Sequence, residues 1–136
     1  MIQKQKILAF CALFALACSC ATGRPDSSSE LLATLRKNMA RPVGSPQALR
    51  DQNHLVKKVV EEDVFGDMRR HEVAAAIGRG SPCREHPDCM NRGFEGDDWV
   101  YVVGQQSHEK VLPLPLLMIG FDREGHHVRS HYVIRE

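Results

Sequence analysis

The chain has 136 residues, 18 of them basic and 17 acidic, with five cysteines. That length suggests one domain. The near-zero net charge leaves no electrostatic footprint for nucleic acid or for an anionic membrane surface.

The first segment reads as an export signal. Lys4 and Lys6 form a short positive front, and residues 7–17 are an uninterrupted apolar run. A run of that length is too short to cross ~30 Å of hydrocarbon, but it suits a signal core. A buried helix opening the domain is the competing reading. Against it, residues 19–29 are polar and turn-rich and carry no helical period onward. Removing residues 1–17 removes two lysines and no acid, leaving 16 basic and 17 acidic residues. Ala15-Leu16-Ala17 before Cys18 has the form of a lipobox, although Ala15 stands where leucine would make the stronger motif. Ser19-Cys20-Ala21 offers ordinary small-x-small cleavage instead. Lipidation at Cys18 is the preferred reading. Acyl chains on that cysteine would anchor the protein firmly, at about 0.8 kcal/mol per buried methylene.

Residues 18–44 read as a flexible tether, rich in Gly, Pro and Ser at its start. Within it, Ser27 and Glu30 have capping-box spacing ahead of Leu31, Leu32 and Leu35. This leaves two readings for 27–39, a short helix or a tether that samples helix only transiently. The folded domain is expected over 45–136. Ser45-Pro46 is a helix start, since serine can cap and proline tolerates the first helical position. Leu49, Val56, Val59 and Val60 keep a helical period, which predicts a helix over 46–62. A second helix is expected over 68–77, with Val73, Ala76 and Ile77 inward and Gly78 and Gly80 at its end.

Residues 79–98 read as a long loop without regular structure, cross-linked by Cys83 and Cys89. The period then changes to two. Trp99, Tyr101 and Val103 alternate with Val100 and Val102; Leu117, Ile119 and Phe121 share one face. Val128, Tyr132 and Ile134 are expected on a core face, with His127, Arg129, His131 and Arg135 pointing away. Phe121 and Tyr132 are expected to be mostly buried. Asp122-Arg123-Glu124-Gly125 marks a tight hairpin. The order is two helices packed on a three-stranded antiparallel sheet, ααβββ, an α+β class.

Little in the sequence points to catalysis. No serine or cysteine lies in a nucleophile elbow, and Gly78-Arg79-Gly80 is too short for a phosphate cradle. Glu95, Asp97 and Asp98 read as turn and solubility residues. An even pair of body cysteines in an exported domain favours a disulfide. A metal loop through Cys83, His86 and Cys89 would need further ligands, for which His126 and His127 are the available candidates. A basic-leaning strand face carrying three histidines would suit an acidic partner or a lipid headgroup, more strongly below pH ~6.5 as imidazoles gain charge.

Several of these residues also match a family. Val64-Phe65-Gly66-Asp67-Met68 with Val73 and Ile77-Gly78 resembles a helix entry and its end. Trp99-Val100-Tyr101, then Leu117-Met118-Ile119-Gly120-Phe121-Asp122 and Gly125, resembles a W-x-Y strand followed by an F-D-x-x-G hairpin. Together with the lipobox, the stretch 45–135 is similar to the SmpA/BamE-like outer-membrane lipoproteins, whose fold also occurs in β-lactamase-inhibitor proteins. The chain departs from the pattern at Asp67 and Arg69, where the family has Gly and Thr, and in its Cys83–Cys89 loop. The resemblance implies a lipid-anchored, non-enzymatic interaction module at the outer membrane, facing the periplasm. Its partner would be an envelope protein, with outer-membrane assembly components as candidates. No cofactor or metal is expected. The expected contact residues are Phe94, His127, Arg129 and Arg135. A secreted inhibitor or ligand-binding module is the alternative, and a metal- or redox-active envelope protein is a third.

Overall fold

The computed structural model describes residues 27–135. The expected signal, the lipidation site Cys18 and the start of the tether lie outside those residues. The fold is α+β, as the change of period suggests, but its order is richer than ααβββ. In chain order the elements are α1 (Ser27–Met39), β1 (Pro42–Val43), α2 (Pro46–Glu61), α3 (Arg70–Ile77), β2 (Ser81–Pro82), α4 (Pro87–Asn91), β3 (Trp99–Val102), β4 (Gln105–Gln106), β5 (Leu116–Phe121) and β6 (His127–Val133). Four strands form an antiparallel sheet in the order β2-β3-β5-β6, and β1 pairs with β4 in a separate parallel pair.

The helices form where local chemistry favours them. The Ser45 hydroxyl accepts the Ala48 N–H at 3.1 Å, and Pro46 occupies the first turn. Val56 and Val59 of α2 are buried on the sheet side. The start of α3 is fixed by the Glu72 carboxylate, which accepts the Arg69 N–H at 2.6 Å. The segment 27–39 is a packed helix: Leu35 is fully buried, and Leu31, Leu32 and Met39 lie against the main core. These four apolar residues supply the burial that a tether would lack.

The cross-linked segment 79–98 also departs from the loop reading. It contains β2, a short 3-10 turn at Cys83–Glu85 and α4. Cys83 and Cys89 form a disulfide with their Cα atoms 5.3 Å apart. Both cysteines pack with Phe94, Val100, Leu116 and Met118 in a second core on the sheet face opposite α1, α2 and α3. Every residue of β5 is therefore buried, with Leu117, Ile119 and Phe121 in the main core and Leu116 and Met118 in the second. A helix period and a disulfide-bound turn cover the two faces of one central strand.

Strand β6 breaks the expected phase. Arg129 lies opposite Gly120 and His127 opposite Phe121, so Val128 is an extra residue in a β-bulge. Val128 is 58% exposed and not in the core. Beyond the bulge Tyr132 pairs with Leu117 and is only partly buried at the core edge. Because side chains alternate strictly along a strand, one inserted residue moves His127 to the other face from Arg129 and His131.

Breaking the cross-link tests how the second core is held. A Cys83→Ser/Cys89→Ser variant should lose ~2 kcal/mol, because the bridge closes a short loop. Thermal melting should still show one cooperative transition at a lower temperature, since the main core does not include either cysteine. Complete loss of the transition would mean that the cross-linked face carries far more of the stability.

Candidate functional site

The four expected contact residues do not form one surface. Phe94 is 4% exposed and lies in the second core. The Arg129 guanidinium sits 3.9 Å from the Phe94 ring centroid and donates to the Gly93 carbonyl at 2.6 Å. Arg135 makes a hydrogen-bonded ion pair with Asp88. His127, on the opposite face, has Nδ1 3.0 Å from the Gly66 carbonyl and Nε2 2.7 Å from the Ser130 hydroxyl. A carbonyl can only accept, so Nδ1 carries the proton. Phe94, Arg129 and Arg135 thus share the cross-linked side, with both guanidiniums already engaged internally.

His131 joins that side. Arg92 Nη1 is 3.3 Å from His131 Nε2, and a guanidinium only donates, so the imidazole accepts there in its neutral form. Burial, then the charges of Arg92 and Arg129, hold His131 below the usual histidine range. This face therefore gains charge at lower pH than an ordinary histidine would allow.

A second site is assembled from parts that look unrelated in the sequence. A cleft of about 590 Å³, open to solvent, is lined by Arg70, His71, Ala74, Arg79, Trp99, Arg123, Glu124 and Gly125. Three chain segments deliver the arginines. Arg70 opens α3, and its N–H donates to the Gly125 carbonyl at 2.8 Å. Arg79 lies in the turn from α3 to β2. Arg123 lies in the β5–β6 hairpin.

Each segment is anchored. Arg70 stacks against Phe121 at 4.3 Å and Trp99 at 5.1 Å, and its Nη1 donates to the Asp97 carbonyl at 2.8 Å. The Tyr101 hydroxyl donates to the Gly78 carbonyl at 2.8 Å, and burial pushes its phenol well above the usual range. A Cβ on Gly80 would lie 2.6 Å from the Trp99 Cβ, so only glycine lets the Arg79 turn approach β3 this closely. In the hairpin, Asp122 Oδ1 accepts the N–H groups of Glu124 and His126 at 3.0 and 2.8 Å. These bonds, led by that from the His126 N–H, hold its carboxyl below the usual carboxylate range.

Arg79 and Arg123 differ from Arg70 in one respect. Neither guanidinium makes a hydrogen bond or ion pair to any described residue. The sequence signals for this site are short. The Gly78-Arg79-Gly80 turn carries the Arg79 side chain to the cleft. The hairpin motif that holds Arg123 reads locally as a turn and nothing more.

For metals, the described residues offer one grouping, Asp122, Glu124 and His126, whose ligand atoms all lie within 4.8 Å of one another. Asp122 Oδ1 is taken by the turn, and His126 Nδ1 is 3.6 Å from its Oδ2. The arrangement is accounted for by the turn itself. The disulfide removes Cys83 and Cys89 as thiolate ligands. Among the described residues, no helix is long and apolar enough to cross a membrane. No protein-family model, curated protein or solved structure matches the chain.

Proposed function

We propose that this domain is a non-enzymatic binding module of the bacterial cell envelope, anchored through a lipid on Cys18, that docks an acidic partner at its arginine cleft. The observation that carries the reading is the pair of uncommitted guanidiniums, Arg79 and Arg123, held beside the pinned Arg70. Guanidiniums with no internal partner keep their full donor set for a ligand. The expected basic strand face is a weaker choice, because Arg129 and Arg135 are engaged by Gly93 and Asp88.

Two further features support the envelope setting. The disulfide suits an oxidising compartment. The apolar run and lipobox suit export. The resemblance to SmpA/BamE-like lipoproteins makes outer-membrane assembly components the first partners to look for.

Affinity capture from detergent-solubilised envelopes, with wild-type protein and an R79E/R123E variant, tests the reading. A partner held by wild type and released by charge reversal is the expected result. An identical set of captured proteins from both would place the contact elsewhere. Mass measurement of the mature N-terminus checks the anchor: a diacylglyceryl Cys18 is expected, and an unmodified Thr22 start would make the protein a released one.

A further inference from the structure

Strand β6 is the last strand on its side of the sheet. The direction of its peptide groups follows from its neighbour. The Phe121 N–H donates to Asp98 Oδ1 at 3.0 Å, and the Pro115 carbonyl accepts the Val103 N–H at 2.9 Å, both on the β3 side of β5. Peptide groups alternate along a strand, so Leu116, Met118 and Gly120 turn theirs toward β6. They meet Val133, His131 and Arg129 there. Ser130 and Tyr132, lying between those residues, direct N–H and C=O out of the sheet. At the start of the strand the outer edge is covered: the His127 N–H donates to the Met68 carbonyl at 2.9 Å, and the Arg70 N–H to the Gly125 carbonyl at 2.8 Å. Beyond the Val128 bulge, no described residue bonds to the outward groups of Ser130 and Tyr132. An unpaired row of this kind is a template for another strand. We propose that residues 129–133 seat an extended acidic segment of a partner polypeptide as an added strand, at a surface separate from the arginine cleft.

The backbone edge calls for a strand, and the side chains beside it set the sign of its charge. A groove of about 450 Å³ opens on the cross-linked side, lined by Asn91, Arg92, Phe94, Arg129, Ser130 and His131. That lining holds two guanidiniums and no carboxylate. The acids of the flanking segment 87–98 are committed elsewhere. Asp88 pairs with Arg135, Glu95 and Asp97 line a different cleft, and Asp98 accepts the Phe121 and Glu95 N–H groups. On the helix side, Glu61 and Glu62 of α2 pair with Lys57 and Lys58. Arg129 bonds the Gly93 carbonyl and Arg92 the neutral His131 ring, so both are positioned while neither has a carboxylate partner. A partner carboxylate would meet them without displacing an ion pair. Across the strand, Tyr132 is partly buried and Val128 stands exposed at the bulge. The added strand would alternate in step, acidic toward the groove and apolar toward Tyr132. Two β6 edges paired about His131 would satisfy the same backbone groups. That pairing would gather Arg92 and Arg129 of both copies on one side of a continuous sheet, with no carboxylate in either groove, and like charges so placed disfavour it.

Synthetic peptides test the seat on the full chain. The probe is a fluorophore-labelled TEVEVT peptide, blocked at both ends, which alternates acidic and apolar residues; fluorescence anisotropy reads its binding. Two companions separate backbone from charge. TKVKVT reverses the charge. A TEVEVT peptide N-methylated at its valines cannot donate from the residues that lie opposite Ser130 and Tyr132 in an antiparallel pairing. Saturable binding of TEVEVT is expected, weakened roughly tenfold or more by N-methylation, by charge reversal and by Ser130→Pro. The Ser130 N–H points out of the sheet, so proline there keeps the β5–β6 ladder and blocks an added strand. Amide exchange followed by NMR needs no variant: the Ser130 and Tyr132 N–H groups of the wild type should become protected when TEVEVT is added. No saturable binding, or binding indifferent to N-methylation, would overturn the added strand. Equal binding of TKVKVT would overturn the acidic assignment. Sedimentation showing concentration-dependent dimers that Ser130→Pro abolishes would give the edge to a second copy and overturn the partner assignment. Loss of TEVEVT in R79E/R123E, with the Ser130 and Tyr132 amides of the wild type still unprotected, would move the contact to the arginine cleft and overturn the proposal.

Discussion

Phe65→Ala should lower the folding free energy by about 3–5 kcal/mol, the usual range for emptying a buried aromatic site. Phe65 is 0% exposed and is among the largest fully buried side chains. It lies just after α2, where Asp63 takes φ 47° and turns the chain toward α3. The ring packs in the main core and sits 6.0 Å from the His127 ring. Truncation therefore removes the packing and also loosens the wall against which His127 is held. The backbone there is pinned on both sides, by Met68 N–H to the Phe65 carbonyl at 2.8 Å and His127 N–H to the Met68 carbonyl at 2.9 Å. A site so pinned collapses poorly around a void, which favours the upper part of the range. Small domains typically have 5–15 kcal/mol in total, so the variant should approach marginal stability. Urea unfolding followed by Trp99 fluorescence measures it. A loss under about 1 kcal/mol would mean that the ring is not a core element, since such losses are those of surface changes.

The parts of this fold that could be read from sequence are those whose signal is local. The Ser45-Pro46 start of α2 and the shared face of Leu117, Ile119 and Phe121 in β5 follow from capping and period. The apolar face of α1 was visible too, but burial on α2 and α3 decides between helix and tether, and that contact lies outside the segment. The 79–98 segment misled because glycine and proline argue against regular elements one residue at a time. A disulfide spanning six residues can nevertheless hold a turn of helix over a sheet face. The β6 phase failed through a single inserted residue, Val128, which no alternation rule can detect without the partner strand. The same insertion separated His127 from Arg129, so the expected contact surface split. The arginine cleft was hidden for a related reason. Arg70, Arg79 and Arg123 are far apart in sequence and no periodicity joins them; only the β5–β6 hairpin meeting the ends of α3 does.

The same lesson applies to two adjacent acids, and it yields a sharp contrast. Asp98→Ala should cost about 2–4 kcal/mol, because one buried and one part-buried N–H group would each lose a partner, at roughly 1–3 kcal/mol for a buried one. Part of that loss is offset because the variant no longer buries a charge. Asp98 is 3% exposed; its Oδ1 accepts the Phe121 N–H at 3.0 Å and its Oδ2 accepts the Glu95 N–H at 2.8 Å. One carboxylate thus ties the Glu95–Asp98 turn to the end of β5, and the Asp98 carbonyl takes the Cys83 N–H at 2.8 Å. Asp97, one residue earlier, has a side chain 73% exposed, and Arg70 donates to its backbone carbonyl, not principally to its carboxylate. Asp97→Ala should therefore change stability by less than about 0.5 kcal/mol, as exposed ion pairs do. Asp98→Asn should fall between the two, since an amide keeps one acceptor oxygen and turns two donors toward a site that needs acceptors. Chemical denaturation of the three variants side by side is the measurement. Equal midpoints for the Asp97 and Asp98 alanine variants would show that the buried carboxylate does not brace the turn from Glu95 to Asp98 against the end of β5.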